Sequence, residues 1–209
     1  MQHREHLHPK DGSQIQIATL AETVEVARAC GKFLARCLDR NGNLKWDTGW
    51  FDNLITDEGA KLWEGWFTAS SYSQVGPFMG LISSSSYTTG PQVGDTAAQI
   101  NGTNAWKECL SASNPPFIGG GATRGTASGF AAASGTGAGN RVRALTSPVS
   151  FTIGGTGGTL KGCFLVLGAG AVNTLGSTAG TLFSAGLFSG GDKTVSPTDV
   201  VNVSWQISI

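Results

Sequence analysis

Val200-Val201-Asn202-Val203-Ser204-Trp205-Gln206-Ile207-Ser208-Ile209 places Val201, Val203, Trp205, Ile207 and Ile209 at every second position, with polar residues between them. Successive side chains of a strand point to opposite faces, so this pattern predicts a strand with one buried face. Five more short apolar runs precede it: Phe78–Ile82, Ala105–Leu110, Val149–Ile153, Leu160–Leu167 and Thr181–Phe188. Between them stand Gly/Ser/Thr clusters such as Gly119–Gly121, Ser134–Asn140 and Gly154–Gly158. Short strands separated by turn residues predict a mainly β chain, folded as a β-sandwich or jelly roll. No period of 20–50 residues repeats, which argues against a solenoid or propeller.

Upstream, Phe33–Leu38 is followed by Asp39-Arg40-Asn41-Gly42-Asn43 and then Leu44-Lys45-Trp46. Asn-Gly tolerates positive φ, so a hairpin over 32–51 is expected, its strands joined at Asn41-Gly42. Thr56-Asp57-Glu58 then precedes Ala60, Trp63, Trp66 and Phe67 at helical spacing. A capping hydroxyl with two carboxylates behind it predicts one short helix over 57–67. Residues 15–31 fit two patterns: Leu20, Val24, Ala27 and Leu34 approximate a helical stripe, and Val24–Arg28 alternates as a strand does. Residues 1–14 are polar and hold all the histidines, so 1–31 is read as an extended N-terminal arm on a body spanning 32–209.

The chain has 209 residues, enough for one domain with a substantial core. Fourteen basic side chains balance fourteen acidic ones, which speaks against nucleic acid as a partner. Residues 1–66 carry 18 of those 28 charges, leaving residues 67–209 polar but poor in charge. Such a surface suits packing against neighbours in an assembly better than life as a charge-protected monomer. No run reaches the ~18 apolar residues of a membrane span, and no apolar signal core follows Met1. The cysteines Cys30, Cys37, Cys109 and Cys163 lack CxxC spacing and are expected to be buried free thiols.

Several stretches imitate catalytic motifs. Phe164–Leu167 followed by Gly168-Ala169-Gly170 resembles a dinucleotide loop, but Asn173 stands where a third glycine is needed and no amphipathic helix follows. A glycine hairpin is the expected structure there. No glycine cluster ends in the Gly-Lys-Ser/Thr of a phosphate loop. His3, His6 and His8 lie in the arm, where no serine triad could hold its base. Asp47, Asp52, Asp57 and Glu58 beside Trp46, Trp50 and Trp63 suggest a glycosidase groove, yet they also suit a hairpin end and a helix start. Asp39, Asn41, Asn43 and Asp47 imitate a calcium loop whose twelfth position is Trp50, not an acid. Neither a metal nor a cofactor is expected.

The order of Lys32–Asp47, Asp52–Gly59, Phe78–Ile82, Gly94-Asp95-Thr96, Ala105–Glu108, Ser147–Ile153, Leu160–Gly162, Leu187–Asp192 and Val201–Val203 resembles a group of tailed-bacteriophage virion structural proteins associated with the head. The resemblance covers residues 32–209 and carries no catalytic signature. It implies a non-enzymatic capsid decoration (cement) protein, assembled in the host cytoplasm and resident in the virion. The implied partners are the major capsid protein and further copies of the chain, in a homotrimer, with no nucleic acid and no membrane. Partner contact is then expected from the arm (His3, Arg4, His6, His8) and from an apolar surface of Trp46, Trp50 and Phe51. Those aromatics equally suit the hairpin core. The alternative is a tail or fibre component that touches the host surface through loops such as Ser83–Gly90 and Ser134–Asn140.

Overall fold

The computed structural model describes residues 30–68, 74–100, 106–110, 123–136 and 141–208. Twelve strands and one helix follow in the order β1 (Cys30–Leu38), β2 (Leu44–Asp52), β3 (Leu54–Ile55), α1 (Asp57–Thr68), β4 (Phe78–Ser83), β5 (Lys107–Glu108), β6 (Gly125–Thr126), β7 (Val142–Ala144), β8 (Val149–Thr152), β9 (Gly158–Leu167), β10 (Thr181–Leu187), β11 (Lys193–Val195) and β12 (Val200–Ser208). The chain is mainly β, with two antiparallel sheets and a short helix, as the alternation predicts. Most of the arm, with its histidines, lies outside the described residues. Its last two positions, Cys30 and Gly31, open β1.

In each sheet one strand has an edge that two short strands share. In the first sheet β1 pairs with β12 along its whole length, from Cys30↔Ser208 to Leu38↔Val200. On the other edge of β12, β8 takes Val200–Val203 and β7 takes Gln206–Ser208. In the second sheet β9 and β10 pair around the glycine loop at Gly168 and Gly170, whose φ values are 92° and 76°. There β4 pairs with β9 along one edge, and β5 and β6 share the other. Of the expected strand 105–110, Lys107 and Glu108 pair with Ser83 and Ile82 of β4, and the Cys109 amide donates to the Leu81 carbonyl at 2.9 Å.

The main core lies between the sheets. Phe33, Ala35 and Cys37 of β1 and Val201, Val203, Trp205 and Ile207 of β12 face Met79, Leu81, Cys163, Leu165 and Phe183 of the second sheet. Burying each of the larger aliphatic side chains contributes roughly 1.5–3 kcal/mol. A second core covers the opposite face of the second sheet, where Ile82, Phe164, Val166 and Leu182 pack under Ala97, Ile100 and Trp106. The continuous apolar run Cys163–Leu167 is what a strand buried on both faces requires. Trp106 is fixed there by its indole N–H, which donates to Asp95 Oδ2 at 2.8 Å.

The first hairpin forms where expected, with a longer turn. Asp39–Asn43 make the connection, and only Gly42 takes positive φ, at 83°. Asp39 Oδ1 accepts the amides of Asn41 and Asn43 at 2.8 and 2.9 Å, and the Gly42 amide donates to the Asp39 carbonyl at 2.9 Å. An aspartate that ties the turn amides together removes the need for a left-handed Asn41. These bonds, led by those from Asn43, hold the Asp39 carboxyl below its ordinary range. The helix starts as the sequence indicates: the Gly59 amide donates to Thr56 Oγ1 at 3.0 Å, an N-cap bond. Thr56 is fully buried, and its hydroxyl donates in turn to the Leu182 carbonyl of β10, so the cap also anchors α1 to the sheet.

Candidate functional site

A β-bulge sorts the hairpin aromatics. Leu34 pairs with Trp50 and Arg36 with Asp47, so Thr48 and Gly49 together oppose Ala35. The Ala35 amide donates to Thr48 Oγ1 at 2.9 Å, and Gly49 takes a φ of 62°. The extra residue reverses the parity of β2, so Trp46 and Phe51, five positions apart, both reach Phe188 (ring centroids 5.8 and 5.6 Å). Phe51 is buried in the main core. Trp46 packs against it and donates its indole N–H to the Thr194 carbonyl at 3.0 Å. Only Trp50 is presented outward, 43% exposed on the edge strand β2, with Leu44 also exposed. The expected three-residue apolar surface is therefore corrected to Trp50. His3, Arg4, His6 and His8 lie outside the described residues.

The acids near the hairpin have local roles. Asp47 accepts the Gly49 amide at 2.7 Å and pairs with Arg36 at 2.6 Å, and the amide bond first, with the hydrogen bond and charge of Arg36, holds its carboxyl below the usual range. Asp52 pairs with Lys32 at 3.2 Å, and Asp57 and Glu58 occupy the first turn of α1, where the helix dipole favours negative charge. Deeper inside, Arg124 and Glu108 form a fully buried bidentate pair, with both bonds at 2.9 Å.

The free thiols divide into two kinds. Cys37, Cys109 and Cys163 are buried as expected, whereas Cys30 is exposed at the start of β1. Burial, helped by the nearby Asp199, pushes the Cys37 thiol up to about 12, and burial raises Cys109 and Cys163 well above the ordinary thiol range. The thiolate is the reactive form, so a thiol-disulfide reagent at pH 8 is expected to titrate Cys30 in the native protein and the other three only after unfolding. Rapid native titration of two or more thiols would contradict this placement.

An apolar concavity lies between α1 and the end of β12. A groove of about 350 Å³ is walled by Trp63 and Trp66 of α1, Phe130, and Trp205 and Ile207 of β12, with Arg141 and Arg143 at its rim. Trp205 stands between Phe130 and Phe183 in two edge-to-face contacts, at centroid distances of 5.6 and 6.1 Å. Its indole N–H is buried and has no acceptor among the described residues. Leaving a buried donor unpaired costs about 1–3 kcal/mol, so the site is suited to a ligand that brings an acceptor. Arg141 and Arg143 are exposed and have no ion-pair partner among the described residues. An apolar aromatic floor with a cationic rim fits an apolar segment carrying carboxylates.

Sequence reasoning missed this groove because its walls come from separate stretches of chain. The available signals were Trp63 and Trp66 at helical spacing and the two arginines flanking Val142, which share a face of an extended segment. Among the described residues no three His, Cys, Asp or Glu side chains gather as metal ligands. Comparison with known proteins finds no family model that matches the chain and no curated protein or solved structure similar to it.

Proposed function

We propose that the chain is a non-enzymatic structural protein of a tailed-phage virion, one that decorates the head and bridges major capsid subunits as a homotrimer. The observation that carries this reading is the ordered set of segments resembling head-associated virion proteins. In the fold these segments fall on β1, β2, β3, α1, β4, β5, β8, β9, the end of β10 with the turn after it, and β12, while Gly94-Asp95-Thr96 lies in the connection after β4. The edge strand β2 supplies a surface for a neighbouring subunit, with Trp50 as its apolar anchor and Leu44 beside it. The bulge at Thr48-Gly49 bends this edge and so limits indiscriminate strand addition.

The test is the copy number of the chain per purified virion, measured by quantitative mass spectrometry against the most abundant capsid protein. Hundreds of copies, in a simple ratio to that protein, are expected. A few to a few tens would replace the head assignment with the tail or fibre alternative, and absence from particles would overturn both. In a reconstituted decoration assay, Trp50→Ser is expected to weaken particle binding about thirtyfold, as loss of a buried interface tryptophan does. Its thermal stability should change little, because Trp50 is exposed on an edge strand and is not a member of either core. Binding unaffected by Trp50→Ser would remove the β2 edge from the interface.

A further inference from the structure

The groove between α1 and β12 lies beside the point where residues 1–29 join the body. Cys30 pairs with Ser208 and Gly31 with Ile207, and Ile207 itself lines the groove. Adjacent strands are about 4.8 Å apart, so the chain ahead of Cys30 begins one strand spacing from the groove wall. Four extended residues, at about 3.3 Å each, carry it from Cys30 back to Val26, and ten reach Leu20. The stretch within this reach is Leu20-Ala21-Glu22-Thr23-Val24-Glu25-Val26. It has the composition the groove asks for, with three large aliphatic side chains, two carboxylates and no basic residue.

We propose that Leu20–Val26 of this chain docks in its own groove, with its aliphatic side chains against Trp63, Phe130 and Trp205 and with Glu22 and Glu25 meeting Arg141 and Arg143. Three independent features of the body match this occupant. The floor is aromatic and apolar, the rim carries two arginines without ion-pair partners among the described residues, and the Trp205 indole N–H lacks an acceptor there, which a backbone carbonyl would supply. Attachment a few residues away also gives the segment a high effective concentration that no separate partner of similar affinity matches. Residues 1–14 would then leave the body from a fixed point. The proposal does not depend on the virion assignment.

Site-specific photo-crosslinking tests it on the full-length chain. A benzophenone amino acid replaces Val24, isotopically light and heavy preparations are mixed before irradiation, and adducts are mapped by mass spectrometry. Adducts from position 24 to the peptides bearing Trp63, Phe130 or Trp205 are expected, each within a single isotopic form. Glu22→Arg/Glu25→Arg is expected to reduce their yield about fivefold, by turning two attractive pairs into repulsive ones. Adding Arg141→Glu/Arg143→Glu should restore it. Arg141 and Arg143 are exposed, and circular dichroism of each variant checks that the body remains folded. Adducts that mix isotopic forms would assign the groove to another copy's segment and overturn the proposal. Absence of groove adducts, or a yield indifferent to the charge reversals, would overturn it as well.

Discussion

Glu108→Ala is expected to lower the free energy of unfolding by about 3–5 kcal/mol, the usual cost of removing one partner of a buried ion pair. The size follows from what remains. Arg124 and Glu108 have fully buried side chains, and the pair is bidentate, Nε to Oε1 and Nη2 to Oε2. Arg124 Nη2 also donates to the Ser177 carbonyl at 2.7 Å, and the Gly176 amide donates to Glu108 Oε2 at 2.9 Å. The guanidinium lies 5.2 Å from the centre of the Phe164 ring. Alanine at 108 would leave a guanidinium charge in the interior with one carbonyl and one ring for company. The pair also ties together elements that pair weakly alone: β5 and β6 have two residues each, and the loop between β9 and β10 has no ladder of its own. Urea denaturation of Glu108→Ala, Arg124→Met and the double variant Glu108→Leu/Arg124→Met separates the contributions. The double variant is expected to be more stable than Glu108→Ala, because an apolar pair leaves no charge stranded. A loss below about 1 kcal/mol in Glu108→Ala would show that water or another group already serves the arginine.

This pair marks where sequence reading stops. Lys107-Glu108 reads as an ordinary polar dipeptide, and nothing local says that Glu108 turns inward to meet a residue 16 positions away. Local signals sufficed where local chemistry decides. The alternation of Val201–Ile207 became the inward face of β12, and Thr56 caps the helix that its neighbours begin. They failed where one inserted residue changes parity. Trp46, Trp50 and Phe51 look like one cluster along the chain, and the bulge at Thr48-Gly49 sends two inward and one outward. The two-residue strands have too few positions to show a period at all. The groove likewise depends on the end of β12 meeting α1, a relation that no stretch of sequence contains.

Gly59→Ala is expected to destabilise the protein by about 3 kcal/mol, although in an isolated helix the same change stabilises by about 1 kcal/mol. The reversal arises because α1 approaches β10 backbone to backbone. A β-carbon at Gly59 would overlap the carbonyl oxygen of Phe183, which also accepts the Thr56 amide at 3.1 Å. Neither side of that contact is a flexible side chain, so relief requires the helix to lift from the sheet. Lifting stretches the Gly59 amide bond to Thr56 Oγ1 and the Thr56 hydroxyl bond to Leu182, and each such bond contributes about 1 kcal/mol. It also moves Trp63 and Trp66, which stand on the next turns of α1 and form one wall of the groove. The half-buried Gly65 has open space at its β-carbon position, so Gly65→Ala is the matched control and should stabilise by up to about 1 kcal/mol. Thermal denaturation of the two variants reads the contrast directly. Equal and favourable shifts would mean that α1 does not seat on β10 through Gly59, and the groove wall would then have to be held by the tryptophans alone.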